Sequence, residues 1–256
     1  MKKNNRSQVT IFIIIALVIV VAIVLIFTLI NNSKNKTEIV NAAENPQLYI
    51  KQCVEQRIQI INDNLIENNF YPNIDSNYFV YYGKKIPFLC KSSQFYAPCI
   101  NQEPGLINSI KNKIEQQTKV SECFDKAITL IKNDGYSVNE EKLQTIIMLD
   151  SDGISVTMNK KIIIKNIETE EVRNYEKFNA KILSPIYSLA DSAIKITNYE
   201  STLCSFNSAS WMKAYPNIAI KEFRASDGTR VYTLVDVETE KEIKFAVSSC
   251  ILPAGL

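Results

Sequence analysis

Gln144 to Lys165, QTIIMLDSDGISVTMNKKIIIK, is the stretch that assigns a fold class to the larger part of this chain. Three short runs rich in β-branched and apolar residues stand in succession: Gln144–Leu149, Ile154–Met158 and Lys161–Lys165. Asp150-Ser151-Asp152-Gly153 and Asn159-Lys160 separate them, and this punctuation predicts a three-stranded antiparallel meander. The acids of the first turn also open a calcium-loop pattern, but the further acid and the distant Glu that such a loop needs are missing, so a hairpin turn is the reading.

Towards the carboxyl end, Ser184-Pro185 places a capping residue before a proline, the usual start of a helix. Ile186, Leu189, Ala190, Ala193 and Ile194 then share one face, which predicts a helix from Pro185 to about Thr197 covering the sheet. Ile218–Arg224, Thr229–Val237 and Glu242–Cys250 read as further strands, with Asp227-Gly228 as a hairpin signal. Antiparallel sheet covered by helix is α+β architecture.

Towards the amino end the period changes to that of helices. Asn45-Pro46 starts one, and Ile50, Val54, Ile58, Ile61 and Leu65 give it a single apolar face as far as Glu67. Tyr78–Tyr82 and Ile86–Cys90 flank Gly83-Lys84-Lys85 and predict a hairpin. Two more helices follow, Leu106–Gln117 and Val120–Lys132, the second closed by Asn133-Asp134-Gly135. Residues 45–136 thus form a helical subdomain with a hairpin, and 137–256 an α+β subdomain. Either the two are separate or they share one core.

Six cysteines occur, Cys53, Cys90, Cys99, Cys123, Cys204 and Cys250, none at C-x-x-C spacing, so zinc-ribbon and thioredoxin-like readings find no support. Cys53 and Cys123 each lie on or beside the apolar face of a helix, and packing of those faces pairs them. Cys90 and Cys99 enclose a short loop, and Cys204 and Cys250 bracket the last unit. Structural pairing in these three couples is expected, with buried free thiols as the alternative.

Residues 9–30 carry no charge, no Gly and no Pro. About 22 residues at about 1.5 Å each span about 33 Å, enough for a hydrocarbon core of about 30 Å. Lys2, Lys3 and Arg6 precede the run, and basic residues beside a span stay on the cytoplasmic side. The expected topology is a cytoplasmic tail (1–8), a transmembrane helix (9–30), a linker (31–44) and an extracytoplasmic remainder. The linker holds two N-x-[ST] sites, at Asn31 and Asn35, as possible glycosylation positions.

Arg6-Ser7-Gln8-Val9-Thr10-Ile11-Phe12 running directly into the apolar stretch resembles the class III, type IV pilin-like signal sequence of archaea. It is also similar to the opening of uncharacterised single-pass surface proteins of small-genome archaea. The first resemblance implies cleavage between Ser7 and Gln8. The second extends loosely to the Cys-bearing first helix, the aromatic segment before Gly83-Lys84-Lys85-Ile86-Pro87 and the Phe245-Ala246-Val247 strand, and it implies topology alone.

Composition narrows the chemistry. The chain has no histidine, which removes Ser-His-Asp and Cys-His pairs and His-ligated metal or haem. No G-x-G-x-x-G or G-x-x-x-x-G-K-[ST] loop occurs. With 29 basic and 27 acidic residues and a net charge of +2, nothing supports nucleic-acid binding. No catalytic, cofactor-binding or metal residue is assigned. The sequence therefore points to a membrane-anchored extracytoplasmic structural or interaction protein, in contact with the bilayer through residues 9–30 and with a cell-surface protein or glycan. The alternatives are a pilin-like subunit processed before Gln8 and an anchored, carboxylate-dependent glycan hydrolase.

Overall fold

The computed structural model describes residues 15, 18–21, 40–94 and 97–248. The chain divides into two compact units, Met1–Val40 and Asn41–Leu256. Of the first unit, residues 15 and 18–21 are helical, and their side chains are exposed. Among the described residues no helix is long and apolar enough to cross a membrane. Most of the 9–30 stretch lies outside them.

The second unit begins with helix α1 (Pro46–Glu67), where Asn45 Oδ1 accepts the Leu48 N–H at 3.0 Å and Pro46 occupies the first turn. The five apolar residues of its expected face are all buried. Asn69 and Phe70 then take positive φ, 52° and 70°, and reverse the chain. Strands β1 (Tyr78–Tyr81) and β2 (Lys84–Lys91) form the expected hairpin, and β3 (Ile100–Asn101) pairs with the end of β2. Helices α2 (Leu106–Thr118) and α3 (Val120–Asn133) follow, with Lys119 at φ 45° as the only residue between them.

The next sheet differs from the expected meander. Strands β4 (Tyr136–Glu140), β5 (Gln144–Asp150), β6 (Gly153–Asn166) and β7 (Val172–Ile182) compose it. Asn159-Lys160 is no turn: β6 runs unbroken through it, with a one-residue register shift against β7 between Asn159 and Ile162. A bulge bends the strand without ending it. Lys160 is drawn inward, 2.5 Å from Glu140 and over the ring of Phe124 at 5.5 Å, so the side chain that reads as turn-like is largely covered. β5 pairs with the first half of β6 and β4 with its second half, on one edge, while β7 pairs along the other.

β7 itself escapes the periodicity because Glu171, Arg173, Glu176, Lys177 and Lys181 interrupt it. These charges suit an edge strand, whose unpaired backbone must be kept from other chains. Helix α1 completes the protection: Gln47 Nε2 donates to Lys177 O at 3.4 Å, and Glu55 Oε1 accepts the Lys181 N–H at 3.1 Å.

Helix α4 (Ile186–Leu203) begins one residue later than expected and runs six residues further. Ser184 Oγ accepts the Ile186 N–H at 3.1 Å and donates to Asn62 Oδ1 of α1 at 2.5 Å, a buried link between the two helices. A short helix, α5 (Ser208–Ala214), precedes β8 (Ile218–Arg224), β9 (Arg230–Asp236) and β10 (Glu242–Val247). The second sheet has the order β1-β2-β10-β9-β8, and its β2–β10 pair runs parallel, so it is mixed where antiparallel pairing was expected. That pair inserts the early hairpin into the late sheet.

One core consequently crosses the boundary near Ser137: Ile50, Phe124, Ile162, Ile196 and Phe245 belong to a single buried cluster. A smaller cluster of Ile86, Val231 and Ala246 lies under Phe79, Tyr81 and Phe88. Tyr81 and Phe223, from the first and last strands of the sheet, approach to 4.9 Å between ring centroids across it. The sheet therefore curls strongly.

Candidate functional site

Where α1 ends, Asp63 and Glu67 stand four residues apart and so share a face of the helix. The β1–β2 turn brings Lys84 towards them, and the β9–β10 connection brings Lys241, Glu242 and Lys244. Together they enclose a cleft of about 540 Å³ whose apolar floor includes Ile66 and Ile86. Asn69 holds the walls together, since its Oδ1 accepts the Lys244 N–H at 2.5 Å.

The charges fall into two groups. Lys241 is ion-paired with Asp63, and Lys244 with Glu242. Gln59 Nε2 also reaches Asp63, at 3.1 and 3.0 Å to the two carboxylate oxygens. Partial burial pushes the Asp63 carboxyl up, but the hydrogen bonds from Lys241 and Gln59 and the Lys241 charge outweigh it, and the net shift is downward. Glu67 and Lys84, in contrast, make no ion pair among the described residues.

These two also line a second lobe of about 380 Å³ with Asn68 and Asn69, which continues past Tyr71, Pro72 and Lys85. They stand where the two lobes join. Lys85 is fixed by donating to Ile74 O at 3.0 Å. Beneath the lobe, Lys113 donates to Phe70 O at 2.8 Å and lies 4.6 Å from the Tyr71 ring centroid. Burial pushes Lys113 down, and the nearby Glu103 charge only partly counters it. Burial and the same charge push the Tyr71 phenol up.

A glycosidase of the two-carboxylate kind needs one carboxyl held protonated beside an ionised one. Asp63 is shifted in the opposite sense, and Glu242 is held by a lysine. The groove instead offers paired charges on its walls, side-chain amides, and one free charge of each sign at its waist.

A second polar group centres on a buried carboxylate. Glu200 on α4 is 2% exposed and accepts from Arg230 Nη1 at 2.6 Å and from the Tyr232 hydroxyl. Arg230 Nη2 donates to Cys204 O at 3.3 Å. Burial pulls the Arg230 guanidinium down, but Glu200 and Tyr232 more than offset that and raise it, while burial and Glu200 push the Tyr232 phenol up. This network joins α4 to β9, and none of Glu200, Arg230 and Tyr232 lines either lobe of the groove.

The cysteines follow the expected couples as far as they are described. Cys53 is bonded to Cys123 at 2.03 Å, joining α1 to α3, with Arg57 and Glu122 ion-paired at 2.8 Å beside it. Cys90 is bonded to Cys99 at 2.02 Å, closing the loop between β2 and β3. Cys204 sits at the end of α4 with φ 52° and is also disulfide-bonded. Cys250, Ser7, Gln8, Asn31 and Asn35 lie outside the described residues. Among the described residues no group of three or more His, Cys, Asp or Glu is arranged to hold a metal ion. The Asp150 turn is a hairpin turn, its Oδ1 accepting the Asp152 and Gly153 N–H groups at 2.9 and 3.2 Å.

The cleft residues are absent from the sequence reading. Only the four-residue spacing of Asp63 and Glu67 hints at a shared surface, and their lysine partners arrive from strands far along the chain. Comparison with protein-family models, curated proteins and solved structures finds no match.

Proposed function

We propose that this chain is a membrane-anchored extracytoplasmic interaction protein that binds a polar cell-surface partner in the two-lobed groove at the end of α1. The observation that carries the anchoring is the uncharged 9–30 stretch behind Lys2, Lys3 and Arg6. Two features support the reading: the helical residues 15 and 18–21 expose apolar side chains, and the following unit is cross-linked by cystines, which persist outside the cytoplasm. For binding, the support is the unpaired Glu67 and Lys84 at the waist of the groove.

Surface labelling of intact source cells with a membrane-impermeant amine reagent tests the topology. Modification of lysines in the 45–248 region, with Lys2 and Lys3 protected, is the expected pattern, and the reverse pattern overturns it. For the groove, cell-surface cross-linking is compared between the wild-type chain and Lys84→Glu. Loss of a discrete adduct in the variant is expected, and an unchanged adduct pattern refutes the assignment. The Ser7-Gln8 junction favours a second reading, a pilin-like subunit. Intact mass of the mature chain distinguishes it: a start at Gln8 supports processing, and retention of Lys3 opposes it.

A further inference from the structure

Lys195, Tyr199 and Leu203 recur every four residues on α4 and so fall in a row along one face. Tyr199 is 49% exposed and Leu203 61%. Trp211 of α5 and Tyr215, which caps that helix, form a second row, their rings stacked 4.3 Å apart. The two rows lie side by side. Tyr199 is 6.4 Å from Trp211 between ring centroids, and Phe206, from the connection between the helices, is 6.0 Å from Tyr199 and 5.7 Å from Trp211. Lys195 reaches over Trp211 and Tyr215 at 6.0 and 5.4 Å. Single exposed apolar residues are ordinary on a protein surface, but here Tyr199, Leu203 and the 43% exposed Tyr215 gather around one tryptophan.

The charge of this surface is one-sided. From Lys195 to Asn217 the sequence holds a single acid, Glu200, and it is buried against Arg230 and Tyr232. Lys195 is partly exposed and paired with Asp191 at 2.7 Å, while Lys213 is exposed and has no acidic partner among the described residues. Rings with polar tips, flanked by lysines and free of exposed acid, match the gradient from hydrocarbon to phosphate headgroups at a bilayer surface. Such a surface is also within reach. Residues 31–40 separate the 9–30 stretch from the unit that begins at Asn41, and ten residues extend to at most about 35 Å. A unit tethered so closely meets lipid at high effective concentration, and weak docking suffices.

We infer that the surface formed by Tyr199, Leu203 and Tyr215 docks on the bilayer, with the rings among the headgroups and Lys195 and Lys213 beside lipid phosphate. The inference rests on the anchoring proposed above and adds a second contact with the membrane, one that sets which way the unit faces.

Trp211 is the single tryptophan and sits beneath this surface, so the full-length chain carries its own reporter. The chain is reconstituted in nanodiscs of phosphatidylcholine and phosphatidylglycerol, with and without lipids brominated in the upper acyl chain. Co-elution with the discs reads the anchoring, and quenching of tryptophan emission by bromine reads the docking. Strong quenching of the wild-type chain is expected. Tyr199→Ser with Leu203→Ser should cut it at least about fivefold, with the chain still in the disc and its thermal midpoint held. Lys213→Glu, at an exposed position, should shift the ratio of docked to undocked chain about tenfold towards undocked. Emission that bromine leaves unchanged in a disc-anchored wild-type chain overturns the inference and leaves this surface to a protein partner. Quenching that survives both variants also overturns it, because another surface would then face the lipid. A chain that does not co-elute with the discs refutes the anchoring, and the docking falls with it.

Discussion

Replacing Arg230 with methionine would leave Glu200 as an unpaired charge in a site where it is 2% exposed. The ion pair it loses is short, 2.6 Å, and the Arg230 side chain is itself only 12% exposed, so solvent screens little of the interaction. Breaking one side of such a pair costs about 3–5 kcal/mol. Measured against a typical total stability of about 5–15 kcal/mol, that is a large share. The hydroxyl of Tyr232 remains as one donor, which places the expected loss towards the lower end. The assay is urea unfolding of the full-length chain in micelles, followed by emission of the single tryptophan, Trp211. Trp211 lies 5.7 Å from Phe206, which in turn lies 5.9 Å from Tyr232, so the reporter senses this region. Glu200→Leu and Arg230→Met combined with Tyr232→Phe removes both charges together with the hydroxyl that donates to Glu200, and should recover most of the loss. A cost below about 1 kcal/mol for Arg230→Met would refute the reasoning, since burial and pairing would then not govern this site. A combined variant no better than the single one would do the same.

Three further outcomes are expected in the same unfolding assay. Cys53→Ala with Cys123→Ala opens a cross-link between positions 70 residues apart and should lower stability by up to about 4.4 kcal/mol, the loop-closure value; a change near zero would show that the unfolded chain is already constrained there. Gly153→Ala would put a methyl group 2.1 Å from Ile182 O at a backbone φ of 134°, so a loss above about 3 kcal/mol is expected, and a well-folded variant of unchanged midpoint would contradict the geometry. Asp63, with its carboxyl held low, contributes fully above the unfolded value of about 3.9 and loses that contribution as pH falls through its lower folded value. Both partners are about a third exposed, so Asp63→Asn should cost only about 0.2–1 kcal/mol at neutral pH and nothing in strong acid.

The sequence was most legible where periodicity and punctuation agree. The bounds of α1 follow from Asn45-Pro46 and a regular apolar face, and β5 from its apolar run and the Asp150–Gly153 turn. Asn159-Lys160 misled because a bulge and a turn use the same residues; only the pairing of both halves of β6 with β7 distinguishes them. β7 was hidden by the charges that make it a safe edge. The extra turns of α4 carry Asn198, Tyr199 and Glu200, which read as polar surface until Arg230 and Tyr232 are placed against them. The groove was least legible of all. Its lysines and carboxylates come from α1, the first hairpin and the last one, and nothing local in any of these segments marks a site.

The parallel register between β2 and β10 bears on how the chain reaches its native state. An early hairpin waits for the last strand before its inner edge is paired, and α1 likewise closes its cleft only when Lys241 and Lys244 arrive. Long-range pairings of this kind form slowly, because the intervening chain must be ordered before they contribute. The amino-terminal half therefore cannot complete a stable domain of its own while the rest is still being synthesised. A chain truncated before Glu242 would keep its helices and the β4–β7 sheet but leave the β2 and β9 edges bare, and aggregation through those edges is the expected fate of such a fragment.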